Sequence, residues 1–270
     1  MDSFASGFAK VDKTNDAGSF VQYLDLIHSI PFFQECKAQS YQNLDLSTGD
    51  SVLEIGCGNG IDLQKLAGCV GTSGTAVGID ISSTMLSAAR KNTEDLGCSP
   101  GFLLCDGLHL AFPNDTFHAV RSDRVIQHTS DPFVALKEIV RVTRPSGTVV
   151  IFEPDWGTYT LWPGEREICR RVMNFWCDNI PSGQVGRVLS AAFTDAGLES
   201  IDVHPYTLTL TDLALARRIF DLNTTFSLAV QKGVVSQADI DQWEDELSGA
   251  DRKGQFFSSL TFFLVTGKKQ

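Results

Sequence analysis

Three glycines at alternate positions follow directly on a short apolar run, Val52-Leu53-Glu54-Ile55-Gly56-Cys57-Gly58-Asn59-Gly60. An apolar stretch of this length suits a buried strand. The glycines let the backbone turn sharply and approach a ligand with no Cβ in the way. A helical pattern begins at Ile61, and a second strand pattern, Thr75 to Ile81, carries Asp80 near its end, twenty residues after Gly60. In a nucleotide-binding sheet, a carboxylate at that place can accept both hydroxyls of a ribose. Together these features predict an adenosine-containing ligand. A dinucleotide fingerprint, G-x-G-x-x-G/A, needs Gly or Ala where Ile61 stands, and no G-x-x-x-x-G-K-[ST] loop occurs. A ligand without a pyrophosphate fits better.

From about residue 50 to 155 the pattern alternates strand and helix. Ile61 to Ala67 reads as a helix stopped by Gly68. Ser83 to Leu96 reads as another, capped by Ser82 or Ser83 and closed by Gly97. Phe102 to Cys105 and Phe117 to Ser122 are strand candidates. Asp131-Pro132 opens a helix in the preferred cap-then-proline order, with Phe133, Leu136, Ile139 and Val140 on its apolar face. Pro145-Ser146-Gly147 then turns the chain into the apolar run Thr148 to Phe152. This order predicts an α/β fold with a doubly wound, mostly parallel sheet and ligands at the carboxyl ends of its strands.

Further on, Gly186 to Ala196 reads as a helix and Ile201 to Leu210 as a strand. A helical stretch, roughly Asp212 to Leu247, precedes a last apolar run from Phe256 to Val265. The expected division is therefore a helical cover over the sheet edge (1–45), a cofactor-binding core (46–210), a helical lid (211–255) and a final strand of the core sheet (256–270). The segment 212–247 is open to two roles, closure over a substrate or a homodimer surface.

Twenty-two Lys and Arg against 33 Asp and Glu leave a formal charge of −11. Such a field repels nucleic acid and anionic membrane surfaces. No stretch of eighteen apolar residues reads as a membrane span and no leader is apparent. The seven cysteines are odd in number and lack C-x-x-C or zinc-type spacing, so reduced thiols, no metal and a cytoplasmic protein are expected.

Residues 52–60 resemble the first motif of class I S-adenosylmethionine-dependent methyltransferases, and Asp80 matches that family's ribose-binding acid. Leu104-Cys105-Asp106-Gly107 resembles its adenine-contacting step. The run from Phe117 to His128 resembles its fourth strand and following turn, and Leu136 to Val149, with the Arg144–Gly147 turn, matches the ubiquinone/menaquinone-biosynthesis-like subgroup. The match is continuous over about 110 residues, and the order of later elements fits the family's seven-stranded fold. The resemblance implies S-adenosylmethionine as cofactor. It implies that Gly56, Gly58 and Gly60 lie under the methionine part with Glu54 supporting the turn, and that Asp80 binds the ribose. Ile81 and Met85 would pack near the adenine, with Cys105 beside the cofactor and Asp106 and the Gly107 amide at the adenine edge. The Ser122 backbone would meet the methionine amine, with Arg124, Gln127 and Tyr23 at or over its carboxylate.

The implied chemistry is methyl transfer by in-line displacement to a small, partly apolar or aromatic metabolite. For an acceptor of high pKa a base is needed. Asp155, after the fifth strand, and His128, after the fourth, are the candidates, although each also reads as an ordinary turn or capping residue. Trp156, Tyr159 and Trp176 are the candidate substrate wall. Two other readings stay open: a non-methylating reaction such as cyclisation in the same pocket, and a non-catalytic binding subunit.

Overall fold

The computed structural model describes residues 7–14, 16–94 and 100–270. A short 3-10 segment, Phe8–Lys13, leads into helices α1 (Ala17–Ser29) and α2 (Pro31–Asn43). The alternating part follows as β1 (Ser51–Ile55), α3 (Ile61–Val70), β2 (Thr75–Asp80), α4 (Ser83–Thr93), β3 (Gly101–Leu104), β4 (Phe117–Asp123), a 3-10 turn at Ile126–His128, α5 (Pro132–Val142) and β5 (Thr143–Trp162). Two helices, α6 (Arg166–Asp178) and α7 (Val185–Asp195), precede β6 (Leu198–Leu210). Three more, α8 (Leu213–Phe220), α9 (Leu222–Gln231) and α10 (Gln237–Asp251), separate it from β7 (Phe257–Lys269).

The seven strands form one sheet in the order β3-β2-β1-β4-β5-β7-β6. β1 to β5 run parallel, and β7 is antiparallel to both its neighbours. The central strands are apolar on both faces, as helices on both sides require: Val52, Leu53, Ala119, Val120 and Val149 to Ile151 are fully buried. The chain reverses direction of strand order between β1 and β4, which opens a crevice beyond the carboxyl ends of those strands.

Helix starts follow the local chemistry. Ser82 Oγ accepts the Met85 N–H at 3.2 Å, and Asp131 caps α5 ahead of Pro132. Ser236 and Asp239 form a reciprocal capping box at α10. Gly68 does not stop α3. The buried stripe Leu63, Leu66, Ala67 and Val70 draws the helix one turn further, and Gly71, at φ 65°, closes it. Gly97, expected to end α4, lies outside the described residues.

The N-terminal helices do not lie over the sheet edge. α2 packs on the sheet near β7, where the Phe33 ring meets Phe262 edge-on at 5.5 Å, and α1 covers the crevice with Tyr23 and Leu24. Helices α8 to α10 share the main core: Phe220, Phe226, Trp243 and Leu247 are buried with residues of β5 and β7. No helix of the described residues is long and apolar enough to cross a membrane.

Candidate active site

The crevice holds a cavity of about 360 Å³. One wall is the glycine turn. Gly56 and Gly58 both adopt positive φ, 64° and 50°. A Cβ at Gly56 would run into Val125, and one at Gly58 would lie 2.8 Å from Leu24 Cδ1, so the bare backbone is required at this wall. Gly60 is not part of the wall. A Cβ there would sit 2.8 Å from the Ala89 Cβ, so this glycine serves the close approach of α3 to α4.

Asp80 stands beside the turn with both oxygens oriented by backbone. The Gly58 N–H donates to Oδ2 and the Ser82 N–H to Oδ1, each at 2.9 Å. Burial raises its carboxyl above the ordinary value, against the opposing pull of those two N–H groups. A carboxylate has about four acceptor positions, so two remain for a diol. Ile81, Met85, Cys105, Asp106 and Gly107 complete this end of the cavity. Asp106 accepts the Leu108 N–H at 2.9 Å, which fixes its direction. Cys57 is buried away from the cavity, and burial together with Asp80 pushes its thiol well up, as suits a packing residue.

At the other end of the turn, β4 delivers Asp123 and Arg124 to the wall. Arg124, at φ 57°, donates from Nε to Asp123 Oδ1 at 2.6 Å and lies 4.7 Å over the Phe33 ring. Burial acts to raise the Asp123 carboxyl, but the Arg124 and Arg121 guanidinium groups outweigh it and hold it below the usual range. Ser122 does not reach the cavity: its backbone is paired with Ile55 on one side and Ile151 on the other, and the wall begins one residue later. Glu54 is also absent from the wall. It is ion-paired with Arg121, its register partner on β4, and Arg121 in turn reaches Asp123 at 2.7 Å. Glu54 thus supports the floor beneath Asp123.

Gln127 faces the cavity and accepts the Trp156 indole N–H at 2.7 Å. Trp156, Trp176 and Phe220 form an aromatic wall, with ring centroids 5.7 Å apart for the two tryptophans and 6.2 Å for Trp156 and Phe220. Tyr159 lies one layer behind, 4.5 Å from Phe220, and does not line the cavity. Tyr23 does, and its hydroxyl donates to the Ile219 carbonyl at 3.0 Å, joining α1 to α8. Burial pushes that hydroxyl up to about 12. His128 also faces the cavity, its ring 5.4 Å from that of Phe8.

Asp155 is not positioned as a base. Its side chain is 2% exposed, takes a two-point ion pair from Arg187, accepts the Gly157 N–H and lies outside the cavity wall. Several wall residues have no local sequence signal: Phe8, Phe33, Ile219, Asp221 and Phe262 arrive from four distant elements. Glu153 did have one, a carboxylate directly after the apolar run Val149 to Phe152 of β5. It is fully buried and accepts the Val125 and Ile126 N–H groups at 2.8 and 2.6 Å, pinning the loop that carries Arg124 to His128.

The cavity therefore offers a bare backbone wall, a carboxylate with free acceptor positions, an apolar slot with an acceptor at its edge, and a charged pair beyond. That set suits a nucleoside bearing an amino-acid chain. Residues 53–151 match the family described as a methyltransferase domain. An uncharacterised 37.1 kDa protein in a transposon of Streptomyces fradiae is 34% identical over 249 residues, 92% of this chain and 71% of that protein. The demethylmenaquinone methyltransferase of Bacillus cereus is 28% identical over 202 residues, 68% of this chain and 85% of that enzyme. The crystal structure of the YcgJ protein from Bacillus subtilis superposes with a TM-score of 0.62 at 16% identity, covering 88% of this chain and 99% of that one. The family match spans the glycine turn, Asp80 and the strand that ends at Asp123, and the chain belongs to the class I S-adenosylmethionine-dependent methyltransferases of the ubiquinone/menaquinone-biosynthesis type.

Proposed function

We propose that the acceptor of the methyl group is a small, partly apolar or aromatic metabolite held against Trp156, Trp176 and Phe220. The observation that carries this reading is continuity: a single cavity runs from Asp80 to those three rings. A reacting pair can therefore share one enclosure, and holding two reactants in line is worth about 7–11 kcal/mol of barrier.

In this reading Asp80 accepts the ribose hydroxyls, Ile81 and Met85 hold the adenine, and Asp106 accepts at its edge. The Gly56–Gly58 backbone and the Asp123–Arg124 pair hold the amino-acid end. When bound, the cofactor supplies an electrophilic methyl carbon on a positively charged sulfur. Tyr23 and the α8 residues Ile219 and Phe220 keep water from the acceptor. His128 is the side chain on the wall suited to take the acceptor's proton near neutral pH, with Gln127 and Trp156 setting the acceptor's orientation.

Incubation with methyl-labelled S-adenosylmethionine and a metabolite extract tests this. Label is expected in an apolar product extractable into organic solvent. A changed product without label would assign the pocket to a non-methylating reaction, and label confined to a polar, non-aromatic product would overturn the proposed acceptor class.

A further inference from the structure

We infer that Asp12 is a positioning residue for the cofactor: it latches the Phe8–Lys13 segment across the cavity and fixes Ser82 behind Asp80. The inference rests on the cofactor reading above and adds a residue from outside the matched family segment.

One carboxylate takes four hydrogen bonds from the start of α4. Oδ1 accepts from Ser82 Oγ at 2.5 Å and from the Thr84 N–H at 3.2 Å. Oδ2 accepts from the Ser83 N–H at 2.7 Å and from Ser83 Oγ at 2.8 Å. A carboxylate at this place meets the unpaired N–H groups of the first helical turn and the positive end of the helix dipole. The Ser82 bond above all, with those from Ser83 and Thr84, holds the Asp12 carboxyl well below the usual range.

Ser82 is the joint. Its hydroxyl donates to Asp12, and its own N–H donates to Asp80 Oδ1 at 2.9 Å. Asp12 therefore holds in place the donor that orients the proposed ribose acceptor. On the other side of the same short segment, Phe8, Ala9 and Val11 line the cavity, and Val11 packs with Phe20 and Met85. The latch thus joins two tasks, aiming Asp80 and covering the adenosine end. Release of a bound nucleoside past this segment requires those four bonds to break.

Stopped-flow displacement and calorimetry with S-adenosylhomocysteine test the latch on the full chain, with thermal unfolding measured without ligand. Asp12→Ala is expected to dissociate at least tenfold faster and to bind correspondingly more weakly. In turnover the loss falls on the KM for cofactor rather than on kcat. Ser83→Ala keeps the Ser83 N–H donor and is expected to fall between wild type and Asp12→Ala. If Asp12→Ala does not fold, Asp12→Asn carries the same test, because its amide group would face the Ser83 donors. An Asp12 variant that releases the ligand at the wild-type rate overturns the latch, whatever its melting temperature. A wild-type protein that does not bind S-adenosylhomocysteine removes the cofactor reading itself, and the latch with it.

Discussion

Arg187 of α7 closes on Asp155 of β5 with two nitrogens, Nε at 2.5 Å from Oδ2 and Nη2 at 2.7 Å from Oδ1. The pair is one-sided in exposure: the Asp155 side chain is 2% exposed and that of Arg187 44%. It ties α7 to the strand just before the aromatic wall. Arg187→Ala is expected to destabilise the protein by about 1–3 kcal/mol, the scale of a lost charged hydrogen-bond pair with one partner open to water. Asp155→Asn is expected to keep its kcat, since the carboxylate does not face the cavity. A kcat loss of a hundredfold or more in Asp155→Asn, at unchanged melting temperature, would restore Asp155 as a base.

Asp80 is the acid on which the ribose assignment rests. Asp80→Ala is expected to weaken S-adenosylhomocysteine binding by about 1–3 kcal/mol, the cost of losing a charged acceptor. The Gly58 and Ser82 N–H groups lose their partner too, so a small drop in melting temperature accompanies it. Gly58→Val is the steric counterpart. Its left-handed φ strains any side chain, and a Cβ there would press on Leu24 Cδ1 at the cavity wall, so calorimetry is expected to detect no binding.

The part of the cavity proposed to hold the cofactor has local sequence signals. The glycine turn and Asp80 sit within one strand–helix–strand unit, where chain geometry fixes their separation. The acceptor half is assembled across long sequence distances, and its parts look ordinary one at a time. Phe33, Phe220 and Phe262 carry no local signal and meet only because the fold brings them to one crevice, just as it brings Asp12 to Ser82. Asp155 shows the reverse error: position after a parallel strand suggested a catalytic acid, but that rule says nothing about Arg187, 32 residues on. Ser122 lies one residue and Gly60 two from the nearest wall residue, where strand pairing and helix packing claim them instead.

His128 carries the proton-transfer part of the proposed mechanism. If the acceptor needs a base, His128→Ala is expected to lower kcat by about 10²–10⁴-fold, the usual range for general acid–base assistance, while calorimetry finds the cofactor affinity within twofold of wild type. A kcat at the wild-type level would mean that positioning alone drives transfer and that His128 takes no proton from the acceptor.

Glu153 couples the stability of the loop after β4 to pH. Burial pushes its carboxyl up to about 8, in spite of the Ile126 and Val125 N–H groups that donate to Oε1. Oε2 has no hydrogen-bond partner among the described residues. In the unfolded chain a glutamate titrates near ~4.3. Between that value and about 8 the native protein holds a proton that the unfolded chain has lost, so the unfolded state gains as pH rises. Glu153's contribution is therefore fully present below the unfolded value and is lost as pH rises through the native one. Glu153→Gln removes this titration while keeping one carbonyl oxygen for the two N–H donors. Chemical denaturation at pH 5, 6.5 and 8 is expected to show a flatter stability profile for Glu153→Gln than for wild type, with the variant gaining most at pH 8. Glu153→Leu leaves both donors buried without an acceptor and is expected to lose stability at every pH, by about 1–3 kcal/mol for each donor. Parallel profiles for wild type and Glu153→Gln would mean that the carboxyl is ionised in the native protein across this range.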